Sequence, residues 1–277
     1  MAPENINELY KKHPLRRETI LARIRKQRKS LEGISELDLA FDPDSATTDQ
    51  NHVGGIGFVV ELAKAARINA ATRVVDLGCG LGGSMRVLSY LYGCKTVGYD
   101  ISEDRIAEAR DLTHLVNLDD FVEFKQADLM TCEVPSGQFD VIWGQSSWTH
   151  IQHKDEFLKR WAGALKSDGM IAFEDLYLQR NEEIGNGETL ARFEADSMSK
   201  VVGLQKWKQI LTNCSFSITR EEDLSHELLS EERKLTRTEN AISSEKNPKE
   251  REKTNLLLEL AERGILGYFR LVAKRDG

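Results

Sequence analysis

Asp76-Leu77-Gly78-Cys79-Gly80-Leu81-Gly82-Gly83 and Lys95-Thr96-Val97-Gly98-Tyr99-Asp100 belong to one stretch, Val74 to Ser102, that decides the fold. It reads as a strand, a glycine-rich turn, a helix and a second strand ending in an acid. Glycines at 78 and 80 let the backbone turn tightly off the strand and approach a ligand, and Gly82 and Gly83 open the next helix with little bulk. Gly78-x-Gly80-x-x-Gly83 is also the dinucleotide fingerprint, a weak signal alone. Two acids sharpen it. Asp100, 17 residues after Gly83, would accept hydrogen bonds from both hydroxyls of an adenosine ribose. Asp76 precedes the first glycine by two residues, where a carboxylate repels a pyrophosphate and suits a cationic ligand.

Working outward, apolar strand-like runs recur at 73–77, 95–99, 121–124, 139–143 and 170–174, and helical spacing fills 83–92, 103–116 and 155–165. Such alternation predicts a doubly wound α/β domain built on a mostly parallel sheet. A helix is expected from Gly57 to Arg67 with Phe58, Leu62, Ala65 and Ala66 facing inward. Residues 1–50 read as a helical and irregular lead-in ending in the turn-rich Phe41 to Asp49. Asn181 to Lys208 is polar, contains Gly185, Gly187 and Gly203, and reads as a lid. A strand is expected over Cys214 to Thr219 and a last one over Gly267 to Ala273. Between them the charged segment Arg220 to Lys253 reads as helix through Leu224, Leu228, Leu229 and Leu235. The organisation expected is a lead-in or lid over 1–55 and one domain over 56–277, with helical insertions at about 178–208 and 220–263.

Composition bounds the function. The chain has 277 residues, 40% apolar and 30% charged, with no apolar run near the roughly 20 residues a bilayer span needs. The start lacks an apolar signal core, so a cytoplasmic setting and no membrane partner are expected. A net charge of −7 disfavours a nucleic-acid partner. The one basic run, Lys11 to Lys29, interleaves Leu15, Ile20, Leu21 and Ile24 with its cations and reads as an amphipathic helix with a solvated face. Cys79, Cys94, Cys132 and Cys214 are far apart without metal-ligand spacing, so no metal is expected and all four read as buried apolar residues.

Together these residues resemble the class I S-adenosylmethionine-dependent methyltransferases over roughly Val53 to Ala273. Asp76-x-Gly78-x-Gly80 is similar to the main cofactor motif, Asp100 to the ribose acid and Asp128 to the adenine acid. Phe139 to His150 resembles the fourth-strand motif, and Leu165 to Met170 the loop entering the fifth strand. Within that class the chain is most similar to the small-molecule branch of sarcosine/dimethylglycine, phosphoethanolamine and quinone-precursor methyltransferases. The shared features are His52 to Gly54, a histidine after the fourth strand and a long helical insertion before the last strand. The resemblance implies a seven-stranded sheet with an antiparallel final hairpin, S-adenosylmethionine as cofactor with S-adenosylhomocysteine as product, and a small-molecule acceptor. A homodimer is left open.

Methyl transfer needs alignment and water exclusion more than acid–base work, but an amine or hydroxyl acceptor benefits from a base. His150, at the carboxyl edge of the fourth strand, is the catalytic candidate; the alternative is a cap on the next helix. Asp76, Gly78, Gly80, Asp100, Ile101, Asp128, Leu129 and Gln145 are the cofactor candidates, with Asp128 and Leu129 at the adenine. His52 and Trp148 are assigned to the acceptor side, against a loop histidine and a core tryptophan. Asp49 and Gln50 share the ambiguity of His52, and His153 reads as surface. The expected reaction moves a methyl group to a nitrogen or oxygen nucleophile, with sulfur and carbon open. A nicotinamide-dependent oxidoreductase and a non-catalytic module that only binds the cofactor are the rivals. Asp76 and the lack of a Tyr-x-x-x-Lys pair count against the first, and the intact acid set against the second.

Overall fold

A computed structural model describes residues 6–11, 13–28, 30–42, 47–179, 187–241 and 248–276. The lead-in forms three short helices, α1 (Ile6–Lys11), α2 (Arg17–Arg28) and α3 (Glu36–Ala40). The alternating part follows as α4 (Gly55–Ala65), β1 (Arg73–Leu77), α5 (Gly83–Tyr92), β2 (Lys95–Asp100), α6 (Glu103–Leu115), β3 (Val122–Gln126), β4 (Phe139–Gln145), α7 (Lys154–Ala162) and β5 (Leu165–Leu178). The chain then runs through α8 (Gly187–Ser197), α9 (Leu204–Asn213), β6 (Phe216–Asp223), α10 (Ser225–Ala241), α11 (Pro248–Glu262) and β7 (Leu266–Arg275).

The seven strands form one sheet in the order β3-β2-β1-β4-β5-β7-β6. The first five are parallel, and β7 enters antiparallel between β5 and β6. Val74 to Leu77 are all buried, as a parallel strand with helices on both faces requires. The strand order reverses at β1, so the carboxyl ends of β1, β2 and β4 open a crevice at a topological switch point. Helix α6 starts where Ser102 accepts a hydrogen bond from the Arg105 amide, with Glu103 and Asp104 in its first turn. Helix α5 stops at Gly93 in the left-handed region.

Three expectations are corrected. The helix expected from Gly57 begins two residues earlier; it fully buries Val59, Leu62 and Ala63, while Phe58 and Ala65 pack partly buried against the core. The charged segment expected to be helical from Arg220 first continues β6 to Asp223. That strand lies at the sheet edge, where Arg220 and Glu221 stay exposed to solvent. Only Cys94 of the four cysteines is fully buried. The lid glycine Gly185, the turn residues 43–46 and the side chain of Leu235 lie outside the described residues.

The basic run folds back on its own protein. Ile20, Leu21 and Ile24 of α2 pack with Leu81, Met85 and Ile106. Its cations meet acids: Arg16 with Glu108, Arg17 with Asp111, and Arg23 with Asp42 at 3.1 Å. Among the described residues no helix is long and apolar enough to cross a membrane, and no cluster of three His, Cys, Asp or Glu could hold a metal.

Candidate active site

The crevice at the switch point holds a cavity of about 470 Å³. Of the site residues expected above, Asp49, His52, Asp76, Gly78, Gly80, Asp100, Ile101, Asp128, Leu129, Gln145 and His150 line it, and Gln50 and Trp148 do not. Trp148 is the correction. It is 1% exposed, packs on Phe173 with ring centroids 4.4 Å apart, and donates its indole N–H to the Leu77 carbonyl at 3.0 Å. An indole whose one donor is spent on the backbone and whose ring is enclosed by aromatics has no face left for an acceptor.

The glycine turn is shaped by contacts that exclude a side chain. Gly78 has φ +91, and a Cβ there would lie 2.7 Å from that of Ser147. A Cβ on Gly83 would lie 2.5 Å from the Asp49 carbonyl oxygen, so this glycine admits the lead-in against α5. The amides of Gly78 and Cys79 both donate to the Tyr99 carbonyl, at 2.8 and 3.0 Å. The turn is thereby tied to the β2 end that carries Asp100.

Asp76 is 4% exposed, and its carboxylate has no hydrogen-bond partner among the described residues. Burial, reinforced by the charge of Asp100, pushes its pKa up to about 8. Such a carboxyl lacks a cation and faces the cavity. Asp100 is also pushed up by burial, against the pull of the amides of Ser102 and Gly80. These donate to its two oxygens at 2.9 and 2.8 Å. Each oxygen keeps a lone pair for a further donor. Asp128 is exposed at the rim and caps the Met130 amide at 2.8 Å, while Leu129 is buried beside it.

The floor is a locked amide. Gln145 Oε1 accepts from Ser84 Oγ at 2.8 Å and from Trp143 Nε1 at 3.1 Å, and its Nε2 donates to Glu174 at 2.8 Å. Arg270 Nε in turn donates to Glu174 at 2.5 Å. Burial pushes Glu174 up to about 7 despite that partner. His52 places Nε2 3.0 Å from Gln50 Oε1 and 3.2 Å from Ser84 Oγ, and burial lowers its pKa.

At the opposite wall His150 sits in a single 3-10 turn, Trp148–His150, after β4. Asp175 accepts the Thr149 amide at 2.7 Å and holds this turn in place. Lys154 Nζ donates to the carbonyls of Ile151 and Lys200 at 2.7 and 2.6 Å, fastening the turn to the chain after α8. His150 Nδ1 lies 3.3 Å from the Met198 carbonyl, which assigns the ring proton to Nδ1. Nε2 then accepts from the Tyr10 hydroxyl at 3.0 Å. Burial raises the Tyr10 pKa, so the phenol keeps its proton.

Tyr10, Ser84, Arg105 and Met198 also line the cavity, and none was legible in the sequence. Ser84 directly follows the glycine motif as an ordinary helix-start residue, and Tyr10 lies 140 residues from its histidine partner. The lead-in's run of cations draws attention one residue past Tyr10. Gln152 and His153 are exposed at the mouth.

A family profile described as "Methyltransferase domain" matches residues 75–173. Phosphoethanolamine N-methyltransferase 1 of Zea mays is 28% identical over 177 residues, 64% of this chain and 34% of that protein. Phosphoethanolamine N-methyltransferase 2 of Haemonchus contortus, solved with phosphomonomethylethanolamine and S-adenosylhomocysteine, superposes with a TM-score of 0.71 at 17% identity. That match covers 96% of this chain and 61% of the other. The cyclase SpnF superposes at 0.68 with 15% identity, covering 99% and 96%. At such identities the structural likeness speaks to fold alone. The chain spans about half the length, or less, of the curated relatives at the head of the match.

Proposed function

We propose, for a chain that belongs to the class I S-adenosylmethionine-dependent methyltransferases, that it transfers a methyl group to a nitrogen or oxygen nucleophile of a small molecule. The observation that carries the reading is the buried Asp76 carboxyl, turned on the cavity with no cation of its own. An ammonium group there would restore the missing charge, which a phosphate would not. Gly78 and Gly80 give the ligand backbone to lie against, Asp100 would take the ribose hydroxyls, and Asp128 with Leu129 and Ile101 the adenine. Bound in this way, the cofactor would supply an electrophilic methyl group on a sulfonium.

The chain's own work is then alignment and proton removal. In this reading His150 is the base: Nδ1–H is anchored on Met198, and the Nε2 lone pair now held by Tyr10 takes the acceptor's proton. Gln145 and His52 border the transfer point. Residues 1–55 serve as the lid and 56–277 as the body. Sulfur and carbon acceptors fit the same alignment where no proton must leave.

The test has two steps. Titration calorimetry should detect S-adenosylhomocysteine and not NADH, and ligand saturation should raise the melting temperature. A panel of amines, phenols and thiols with methyl-labelled cofactor should then yield labelled product. Binding of NADH alone would replace the reading with an oxidoreductase. Because the cyclase SpnF carries this fold under another named activity, cofactor binding without transfer across the panel would favour a non-methylating module.

A further inference from the structure

Behind the glycine turn lies a fully buried guanidinium that the proposed chemistry does not use. Arg86 of α5 is 0% exposed and bonds to four separate segments. Its Nε donates to Glu36 of α3 at 3.0 Å, and Nη2 donates to Asp49 at 2.6 Å. Nη1 donates to the Leu81 carbonyl in the turn at 2.7 Å, and reaches Thr113 Oγ1 and the Ala109 carbonyl in α6 at 3.2 and 3.3 Å. Asp49 continues the chain of bonds toward the cavity. It takes the Gln50 amide N–H at 2.6 Å, and Gln50 Oε1 lies 3.0 Å from His52 Nε2, which reaches Ser84 on the cavity floor.

Two buried carboxylates on one buried cation form a balanced unit only when all three are assembled. Glu36 is held well above the usual carboxylate range by burial and then by the charge of Asp49, with Arg86 pulling the other way. Removing any member strands charge in a dry interior. Close packing adds a steric match, because Asp49 lies against the bare Gly83 backbone at a distance no other residue allows.

We infer that Arg86 is a positioning residue for cofactor binding, which makes docking of segment 47–52 and setting of the glycine turn a single event. Asp49, Asn51 and His52, which line the cavity, lie on the segment that the clasp holds. A ligand that binds the closed cavity therefore stabilises the lead-in, and a loosened lead-in weakens the ligand. The inference rests on the methyltransferase reading for the identity of the ligand.

The test uses the full chain, S-adenosylhomocysteine as probe, and proteolysis within residues 1–50. Arg86→Lys cannot span the four segments with a single ammonium. It should weaken the probe at least tenfold and abolish the protection that the probe gives the lead-in. Arg17→Met is the control, since it removes a solvent-exposed lead-in ion pair with Asp111 and reaches neither α3 nor the turn; it should leave probe affinity within twofold. The charge-balanced triple variant Arg86→Met with Glu36→Gln and Asp49→Asn keeps the experiment informative should the lysine variant not fold. Hydrogen exchange on the parent gives an independent reading: the amides of residues 49–52 and 80–83 should gain protection at one common probe concentration. A folded Arg86 variant with parental affinity and parental protection overturns the inference, as do separate midpoints for the two segments. Failure of the parent itself to bind the probe strikes the methyltransferase reading instead. The clasp is then judged by ligand-free cleavage of the lead-in, which should speed up at least tenfold in Arg86→Lys and not in Arg17→Met.

Discussion

The two halves of the cavity are built in opposite ways. The proposed cofactor side comes mainly from one contiguous run, β1 to the start of α6, whose turn, acid and helix lie within 30 residues of each other and are tied by backbone bonds, with Asp128 and Leu129 after β3 added at its rim. The proposed acceptor side is assembled from α1, the turn after β4 and the chain after α8, joined by side-chain bonds such as Tyr10 to His150 and Lys154 to Lys200. A site whose parts share a rigid strand edge is formed as the sheet forms. One whose parts meet only through long-range contacts can be rebuilt or displaced without disturbing the sheet, so substrate choice can vary there while the cofactor is held.

The sharpest way to break that division is His150→Ala. Loss of a general base should lower turnover by about 10²–10⁴-fold, while S-adenosylhomocysteine affinity stays within twofold by calorimetry. A large drop in cofactor affinity would mean that the two halves are not separable at His150. Asp76→Asn probes the other side. It should weaken the cofactor by roughly 10–100-fold, the scale of a lost hydrogen bond to a charged group, and at the same time make the ligand-free protein more stable. The folded pKa of Asp76, about 8, lies above the unfolded value of about 4. The folded state therefore keeps a proton that the unfolded chain releases, and this group's stabilisation, full below about pH 4, is lost as pH rises toward 8. Melting curves across that window should flatten in Asp76→Asn. An unchanged slope would show that Asp76 ionises freely.

Tyr10→Phe sharpens the comparison at smaller scale. It removes one hydrogen bond to His150 and should change turnover by roughly 2–10-fold, with cofactor affinity unaltered in direct titration. An effect on affinity equal to that on turnover would move Tyr10 to the cofactor side. The asymmetry also explains what was legible. Asp76, Gly78, Gly80 and Asp100 announce themselves because their spacing within one βα unit has few structural uses. The place of His150 at the cavity was readable because a strand end in an open parallel sheet is a known place for ligands. Tyr10, Met198 and Arg86 carry no local signal: their roles exist only after the lead-in and the insertion have folded onto the sheet. Strand β6 misled for a different cause, since an edge strand with a wet face has the charge pattern of a solvated helix.

Trp148 gives the finest cut, because its neighbour two residues on is the proposed base while its own ring belongs to the sheet's core. Stacked on Phe173, edge-on to Phe157 and bonded to Leu77 O, it anchors the turn that presents His150. Trp148→Phe keeps an aromatic ring and deletes the indole N–H. The Leu77 carbonyl, on the strand just before the glycine turn, loses a partner, and the expected cost is about 1 kcal/mol of stability for the hydrogen bond, with a further loss from the space left by the smaller ring. Chemical denaturation should show this as a lower midpoint at unchanged slope. The acceptor's KM should not move, because the ring faces no part of the cavity. A raised KM with stability intact would return Trp148 to the acceptor wall and show that the turn swings its indole outward when an acceptor binds.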